Sequence, residues 1–256
     1  MTFTASGDAY DRYMGRYSAS LAPRFADFAG VAGGRRALDV GCGSGALTGE
    51  LVRRLGAERV AAADPSPQLL AACRARLPDV DLRAATAERL PWQDATFDVA
   101  LAQLVLSFVA DGPAAAREMR RVVRTGGVVA ACMWAADGGM EMLRVFWDAV
   151  LELDPAAPDE SRMPYRTVSE LRALWQEAGL REVETAPLDV SAGYESFDDF
   201  WNALLGGVGP AGAYAASLDE PRRAALGAAC RRRLGSPCAS FRLAARAWAV
   251  RGFVAD

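Results

Sequence analysis

The chain contains no histidine and no lysine: all 29 of its basic residues are arginine. Without histidine no imidazole general base can operate, and a zinc site loses a common nitrogen ligand. The five cysteines, Cys42, Cys73, Cys132, Cys230 and Cys238, include no Cys-x-x-Cys pair. A zinc site is therefore close to excluded, and free thiols are expected. No apolar run approaches the ~20 residues of a membrane-spanning helix. The start of the chain lacks the basic-then-apolar pattern of a secretory signal, so a cytoplasmic location is expected. Net charge is −3, with acidic residues spread among the arginines. Arg231-Arg232-Arg233 reads as a solvated helix face, and nucleic-acid partners, which need a basic face, are not expected. No internal repeat or low-complexity segment is present.

What the chain does contain is concentrated in residues 37–45, Ala-Leu-Asp-Val-Gly-Cys-Gly-Ser-Gly. A short apolar run ends in three glycines spaced by two, Gly41, Gly43 and Gly45, and a helical pattern follows (Leu47, Leu51, Val52, Leu55). This is a strand, a glycine turn and a helix. Glycine accepts a positive φ and has no Cβ to hold a ligand off the backbone, and the helix start offers free N–H groups. A nucleoside ligand fits such a turn. Gly41-Cys-Gly43-Ser-Gly45-Ala46 also satisfies the G-x-G-x-x-A form of the dinucleotide fingerprint. Asp39 argues against that ligand, because at the end of the strand it would repel a pyrophosphate. A cofactor with an amino group and no phosphate suits Asp39 better, and S-adenosylmethionine is one. Asp64, ending the next strand, would accept hydrogen bonds from ribose hydroxyls with either ligand; its plainer role would be to cap the helix at Pro67, for which Ser66 competes.

At 256 residues, 52% of them hydrophobic, the chain suits one α/β domain with additions. Strands are expected near 36–40, 59–63, 80–84, 97–102 and 127–133, and helices near 45–55, 67–77 and 113–123. That alternation predicts a parallel sheet with helices on both faces and a ligand beyond the carboxyl ends of its strands. Asp39, Asp64, Thr86 and Gln103 all fall near those ends. Beyond Trp134 the pattern predicts an amphipathic helix over 140–153, a proline-rich loop over 154–164 and a helix over 168–178. A strand over 181–190, helices near 197–205 and 219–234 and a last strand over 240–250 complete the chain.

Several of these stretches, taken in order, resemble class I S-adenosylmethionine-dependent methyltransferases. Asp39-Val-Gly-Cys-Gly-Ser-Gly45 is similar to their first motif and Ala63-Asp64-Pro-Ser-Pro-Gln-Leu-Leu70 to their second. Ala85-Thr-Ala-Glu-Arg-Leu-Pro-Trp92 resembles the stretch that often reads G-D-A-E-x-L-P-F, and Phe97-Asp98-Val99 the strand after it. Val123-Arg-Thr-Gly-Gly127 resembles the L-x-P-G-G turn before the fifth strand. Tyr10-Asp-Arg-Tyr-Met-Gly-Arg-Tyr-Ser18 resembles a leading segment of small-molecule members related to the ubiquinone/menaquinone C-methyltransferases.

The resemblance implies a Rossmann-like seven-stranded sheet, mostly parallel with the last strand antiparallel, carrying helical lid elements. One methyltransferase domain would span 1–256. It would comprise a lid segment at 1–30, a cofactor-binding core at 35–133, and lid or substrate insertions at 134–166 and 192–238. The cofactor would be S-adenosylmethionine, leaving as S-adenosylhomocysteine. Its site would use Asp39, Gly41, Cys42, Gly43, Asp64, Pro65, Thr86, Ala87, Glu88 and Gln103. In that site Ala87 offers its N–H to adenine, and Thr86 stands where the family often has aspartate. Leu69 and Trp92 would pack near the purine or in the core. Tyr10, Tyr17, Trp134 and Tyr165 would meet the substrate, and Tyr13 and Gln103 are the candidates nearest the chemistry.

The loop Gln103–Asp111 lacks the carboxylate cluster that would hold magnesium. Catalysis would then rest on alignment and desolvation, with orientation alone worth ~7–11 kcal/mol. The expected reaction is methyl transfer to a small, mostly apolar acceptor at O, C or N. The alternatives are a non-catalytic methyltransferase-like protein that binds the cofactor as a partner or regulator, and a dinucleotide oxidoreductase, which Asp39 and the later motifs oppose.

Overall fold

A computed structural model describes residues 7–157, 160 and 162–255. The sequence expectations for 1–6, 158, 159 and 161, parts of the lid and insertion segments, and for 256 lie outside the described residues.

Seven strands form one sheet in the order β3-β2-β1-β4-β5-β7-β6. Its first half alternates with helices: β1 (Ala37–Val40), α3 (Ala46–Leu55), β2 (Val60–Asp64), α4 (Pro67–Arg76), β3 (Asp81–Ala84), β4 (Phe97–Gln103), α5 (Gly112–Val122) and β5 (Val123–Trp134). Strands β1 to β5 pair in parallel. β7 (Phe241–Val254) runs antiparallel to β5 and to β6 (Leu180–Tyr194). Six strands therefore share one direction and β7 opposes them, as the motif order implied.

The central strands β1, β2, β4 and β5 are buried on both sides, and the two-residue alternation separates two cores. Along β5, Val128, Ala130, Cys132 and Trp134 face α2 (Arg16–Phe28), α3 and α6 (Glu141–Leu153). Val129, Ala131 and Met133 face α5 and α7 (Val168–Glu177). Local chemistry starts the helices where the sequence indicates. Ser66 accepts from Leu69 N ahead of Pro67, Asp111 accepts from Ala114 N, and Thr167 and Glu170 form a reciprocal capping box.

Three stretches outside the alternating core gain detail in the structure. The segment from Gly207 to Leu218, to which the sequence pattern assigns no element, contains a helix, α9 (Gly209–Ser217). Proline in its first turn and a run of alanines supply the propensity. The inserts α8 (Phe197–Leu204), α9 and α10 (Glu220–Arg233) pack in large part against one another and α6. Only Val208–Pro210 from this insert reaches the cavity described below. Finally, the leading segment contributes to the core. α1 (Gly7–Tyr10) and a π-helical turn, Asp11–Gly15, run into α2. Tyr13, Tyr17, Leu21 and Phe25, four residues apart, are buried in a core-facing stripe. Among the described residues no helix is long and apolar enough to cross a membrane.

Candidate active site

The three glycines all take positive φ, +75°, +55° and +98° for Gly41, Gly43 and Gly45, but for different reasons. A Cβ on Gly41 would lie 2.5 Å from a Val105 methyl, and one on Gly45 would lie 2.9 Å from Cys73 Sγ. These two let the turn pack against the β4 loop and α4. A Cβ on Gly43 would meet nothing nearer than the Tyr10 ring at 3.9 Å. Gly43 therefore keeps open space beside the backbone, where a ligand would lie.

That space belongs to a cavity of about 350 Å³ beyond the carboxyl ends of the strands, where parallel sheets bind ligands. Asp64 lines it, 6% exposed. Its Oδ2 accepts from Gly43 N and its Oδ1 from Ser66 N, both at 2.8 Å. Burial raises its pKa, and the two N–H groups work against that rise. The carboxylate is thereby aimed across the turn, and helix capping is left to Ser66. Glu88 bridges two walls, its Oε1 accepting from Ala110 N at 2.8 Å and Asp111 N at 3.3 Å. Burial tends to raise the Glu88 pKa, but backbone N–H bonds outweigh it and hold the group below its usual value.

A second, smaller cavity of about 20 Å³ adjoins the first and shares Tyr10, Gly41 and Gln103 with it. Asp39 lines this cavity and is 1% exposed. Asp39 Oδ2 accepts from Thr48 Oγ1 at 2.7 Å, while Oδ1 is buried with no hydrogen-bond partner. Gln103 donates through Nε2 to Ser18 O at 3.2 Å, and its Oε1 is likewise buried without a partner. Two acceptor oxygens of residues lining one small space, with the equally unpartnered Ser18 hydroxyl beside them, are thus left without a hydrogen bond, an arrangement that is costly unless water or a ligand completes it. An ammonium group brings three N–H donors and a positive charge. Burial pushes the Asp39 carboxyl up to about 7, against the Thr48 hydrogen bond and with help from Asp64.

Of the residues singled out from the sequence, Tyr10, Tyr13, Gly41, Gly43, Asp64, Pro65, Thr86, Ala87, Glu88, Gln103 and Trp134 line the main cavity, and Leu69 joins them. Asp39 and Cys42 line the smaller one. Two expectations fail. Tyr17 is fully buried, its hydroxyl 3.2 Å from that of Tyr194 and its ring edge-on to Trp134; it braces the wall from behind. Tyr165 packs its hydroxyl end over Gly112, where a Cβ would lie 2.3 Å away, and does not line the cavity. Trp92 is also in the core, donating to Asp81 Oδ2 at 3.0 Å.

The far end of the cavity was less legible. Met14, Phe108, Met133, Leu143, Met163 and Arg166 line it from five separate segments. Arg166 donates to the main-chain oxygens of Trp134, Ala135 and Glu160 at 3.2, 3.3 and 2.7 Å, closing the 160–166 loop onto β5. Leu104 takes a φ of +63° at the end of β4 and donates to Cys132 O at 2.8 Å. A non-glycine residue in that region marks a held, strained turn at the cavity edge.

A glycine turn at the first strand, a carboxylate ending the second and this strand order are features the chain shares with class I S-adenosylmethionine-dependent methyltransferases. Comparison agrees: residues 38–131 match the family model described as a methyltransferase domain. An uncharacterized methyltransferase of Mycobacterium bovis is 39% identical over 127 residues, 50% of this chain and 49% of that protein. A ubiquinone/menaquinone biosynthesis C-methyltransferase of Idiomarina loihiensis is 40% identical over 110 residues, 40% and 44% of the two chains. The chain spans about half the length of the curated relatives it matches. Among solved structures, a phosphoethanolamine N-methyltransferase 2 of Haemonchus contortus, in complex with S-adenosyl-L-methionine, shares the fold. Its TM-score is 0.58 at 14% identity, covering 97% of this chain and 60% of that one.

Proposed function

We propose that this protein transfers a methyl group from S-adenosylmethionine to a small, mostly apolar acceptor at O, C or N. The observation that carries the reading is the pair of unpartnered acceptor oxygens, Asp39 Oδ1 and Gln103 Oε1, beside an open glycine turn. The cofactor's ammonium would complete both. Asp64 would accept from its ribose hydroxyls, and the Thr86–Glu88 loop would border its adenine. The bound cofactor supplies a methyl group on a positively charged sulfur, open to in-line displacement.

The chain's own contribution is placement. The main cavity continues past Gln103 to Phe108, Met133, Trp134 and Leu143, and these side chains would hold an apolar acceptor and keep water away. Proximity and orientation of this kind supply several kcal/mol, on the order of 7–11 in well-aligned cases. Tyr13, near this end, stays protonated because burial lifts its pKa well above the usual value, so it serves as a hydrogen-bond donor and not as a base. The similar proteins named above include C- and N-methyltransferases, and the acceptor atom is left at O, C or N.

Calorimetry with S-adenosylmethionine, S-adenosylhomocysteine and NAD, followed by transfer of a labelled methyl group to a panel of small acceptors, tests the reading. Binding of the first two and turnover of at least one acceptor are expected. Binding of NAD alone would overturn it. Tight S-adenosyl binding without turnover across the panel would favour a binding-only protein.

A further inference from the structure

The cover over the glycine turn carries a carboxylate, Asp11, that joins three segments of the chain. Ser44, between Gly43 and Gly45, donates through Oγ to Asp11 Oδ1 at 2.6 Å. Arg76, the last residue of α4, pairs with Asp11 Oδ2. The same guanidinium donates through Nη1 to Ser44 O at 3.3 Å. Asp11, Ser44 and Arg76 therefore form a closed triangle between the leading segment, the glycine turn and α4.

The position of Asp11 is prepared by its own turn. A Cβ on Gly15 would lie 3.0 Å from Asp11 Oδ1, so the glycine leaves room for the carboxylate. The turn from Asp11 to Gly15 is π-helical, a geometry that often marks functional sites. Tyr13 and Met14 within this turn, and Tyr10 just before it, line the main cavity. The Tyr10 ring stands over the open face of Gly43. A ligand lying along Gly43 has this segment directly above it. The side chains of Asp11 and Arg76 are 28% and 47% exposed, so the pair can separate into water without stranding a buried charge.

We propose that Asp11 is a positioning residue for the cofactor: through Ser44 and Arg76 it latches the cover Gly7–Gly15 over the S-adenosyl ligand and slows its release. The latch rests on the cofactor reading given above. The triangle stands closed beside the glycine turn, so a seated ligand leaves only after it opens and lets Tyr10 swing off Gly43.

Release of S-adenosylhomocysteine from the full chain, followed by stopped-flow tryptophan fluorescence, tests this. Asp11→Ala and Arg76→Ala should each release the ligand about tenfold faster, as expected for losing a charge-assisted hydrogen bond. Association rates should stay within about twofold. Because both residues serve one latch, the double variant should release no faster than the faster single one. The ligand-free melting temperature should be unchanged in all three. Ser44→Ala, a smaller change, should speed release about threefold and provides the test if Asp11→Ala does not fold. Unchanged release in these variants, single effects that multiply, or an equal loss of ligand-free stability would overturn the latch. A wild-type protein that binds no S-adenosylhomocysteine would overturn the cofactor reading, and the latch with it.

Discussion

Lowering the pH from 7.5 to 5.5 should weaken S-adenosylhomocysteine binding about 25-fold, because Asp39 must be ionised to receive an ammonium group. Its carboxyl titrates near 7 in the free protein, lifted by burial against the Thr48 bond. About three quarters of the molecules then carry the carboxylate at pH 7.5 and about 3% at pH 5.5. If the ligand's ammonium keeps Asp39 ionised in the complex, affinity follows that fraction, a loss of about 1.9 kcal/mol. Above pH ~8 the ligand's own α-amino group loses its proton, so the profile should bend over. The linkage to folding has the opposite sign. The folded pKa lies above the ordinary aspartate value of 3.8. The group's favourable contribution is therefore full below about 4 and is lost as pH rises through about 7. A rise of roughly three pH units at about 1.4 kcal/mol each makes the ionised Asp39 cost on the order of 4 kcal/mol in the ligand-free protein. Asp39→Asn should consequently raise the ligand-free melting temperature at pH 8 while weakening binding at least tenfold and flattening its pH dependence. Titration calorimetry at pH 5.5, 6.5 and 7.5, in buffers of different ionisation enthalpy, gives both the affinity and the protons exchanged. Constant wild-type affinity over that range, or the same slope in Asp39→Asn, would refute the reasoning.

Asp64→Ala should lower S-adenosylhomocysteine affinity about ten- to a hundredfold, the range for losing charge-assisted bonds to ribose hydroxyls; an unchanged dissociation constant in a folded variant removes Asp64 from the site. The glycines should divide by role. Gly41→Ala should lower the melting temperature through its contact with Val105 and its left-handed strain, about 2 kcal/mol or more. Gly43→Val should instead abolish ligand binding, and normal binding by that variant would show that the ligand lies elsewhere. Tyr17→Phe, which removes the bond to Tyr194, should cost about 1 kcal/mol in urea denaturation and leave the calorimetric affinity unchanged.

The first half of the chain was legible because its signals are local. Pro67 after Ser66, Gly45 before Ala46 and the apolar runs 60–63 in β2 and 128–134 in β5 each settle their own backbone through propensity, capping and burial. Asp39 and Asp64 end adjacent strands in β1 and β2, so the parallel pairing of those strands already brings them to one sheet edge. The far end of the cavity gives no such signal, since Met14, Phe108, Leu143, Met163 and Val208 meet only when five segments converge. Nor does spacing distinguish Tyr10, Tyr13 and Tyr17, which fall on neighbouring turns of one helical run. Tyr10 and Tyr13 face the cavity, while Tyr17 turns to Tyr194, 177 residues further on. By itself the sequence determined the strand-turn-helix units and the residues ending the strands, because backbone preference depends on chain neighbours. Tertiary structure alone decided which tyrosines line the cavity and which oxygens are left without partners, because those depend on what distant segments pack against them.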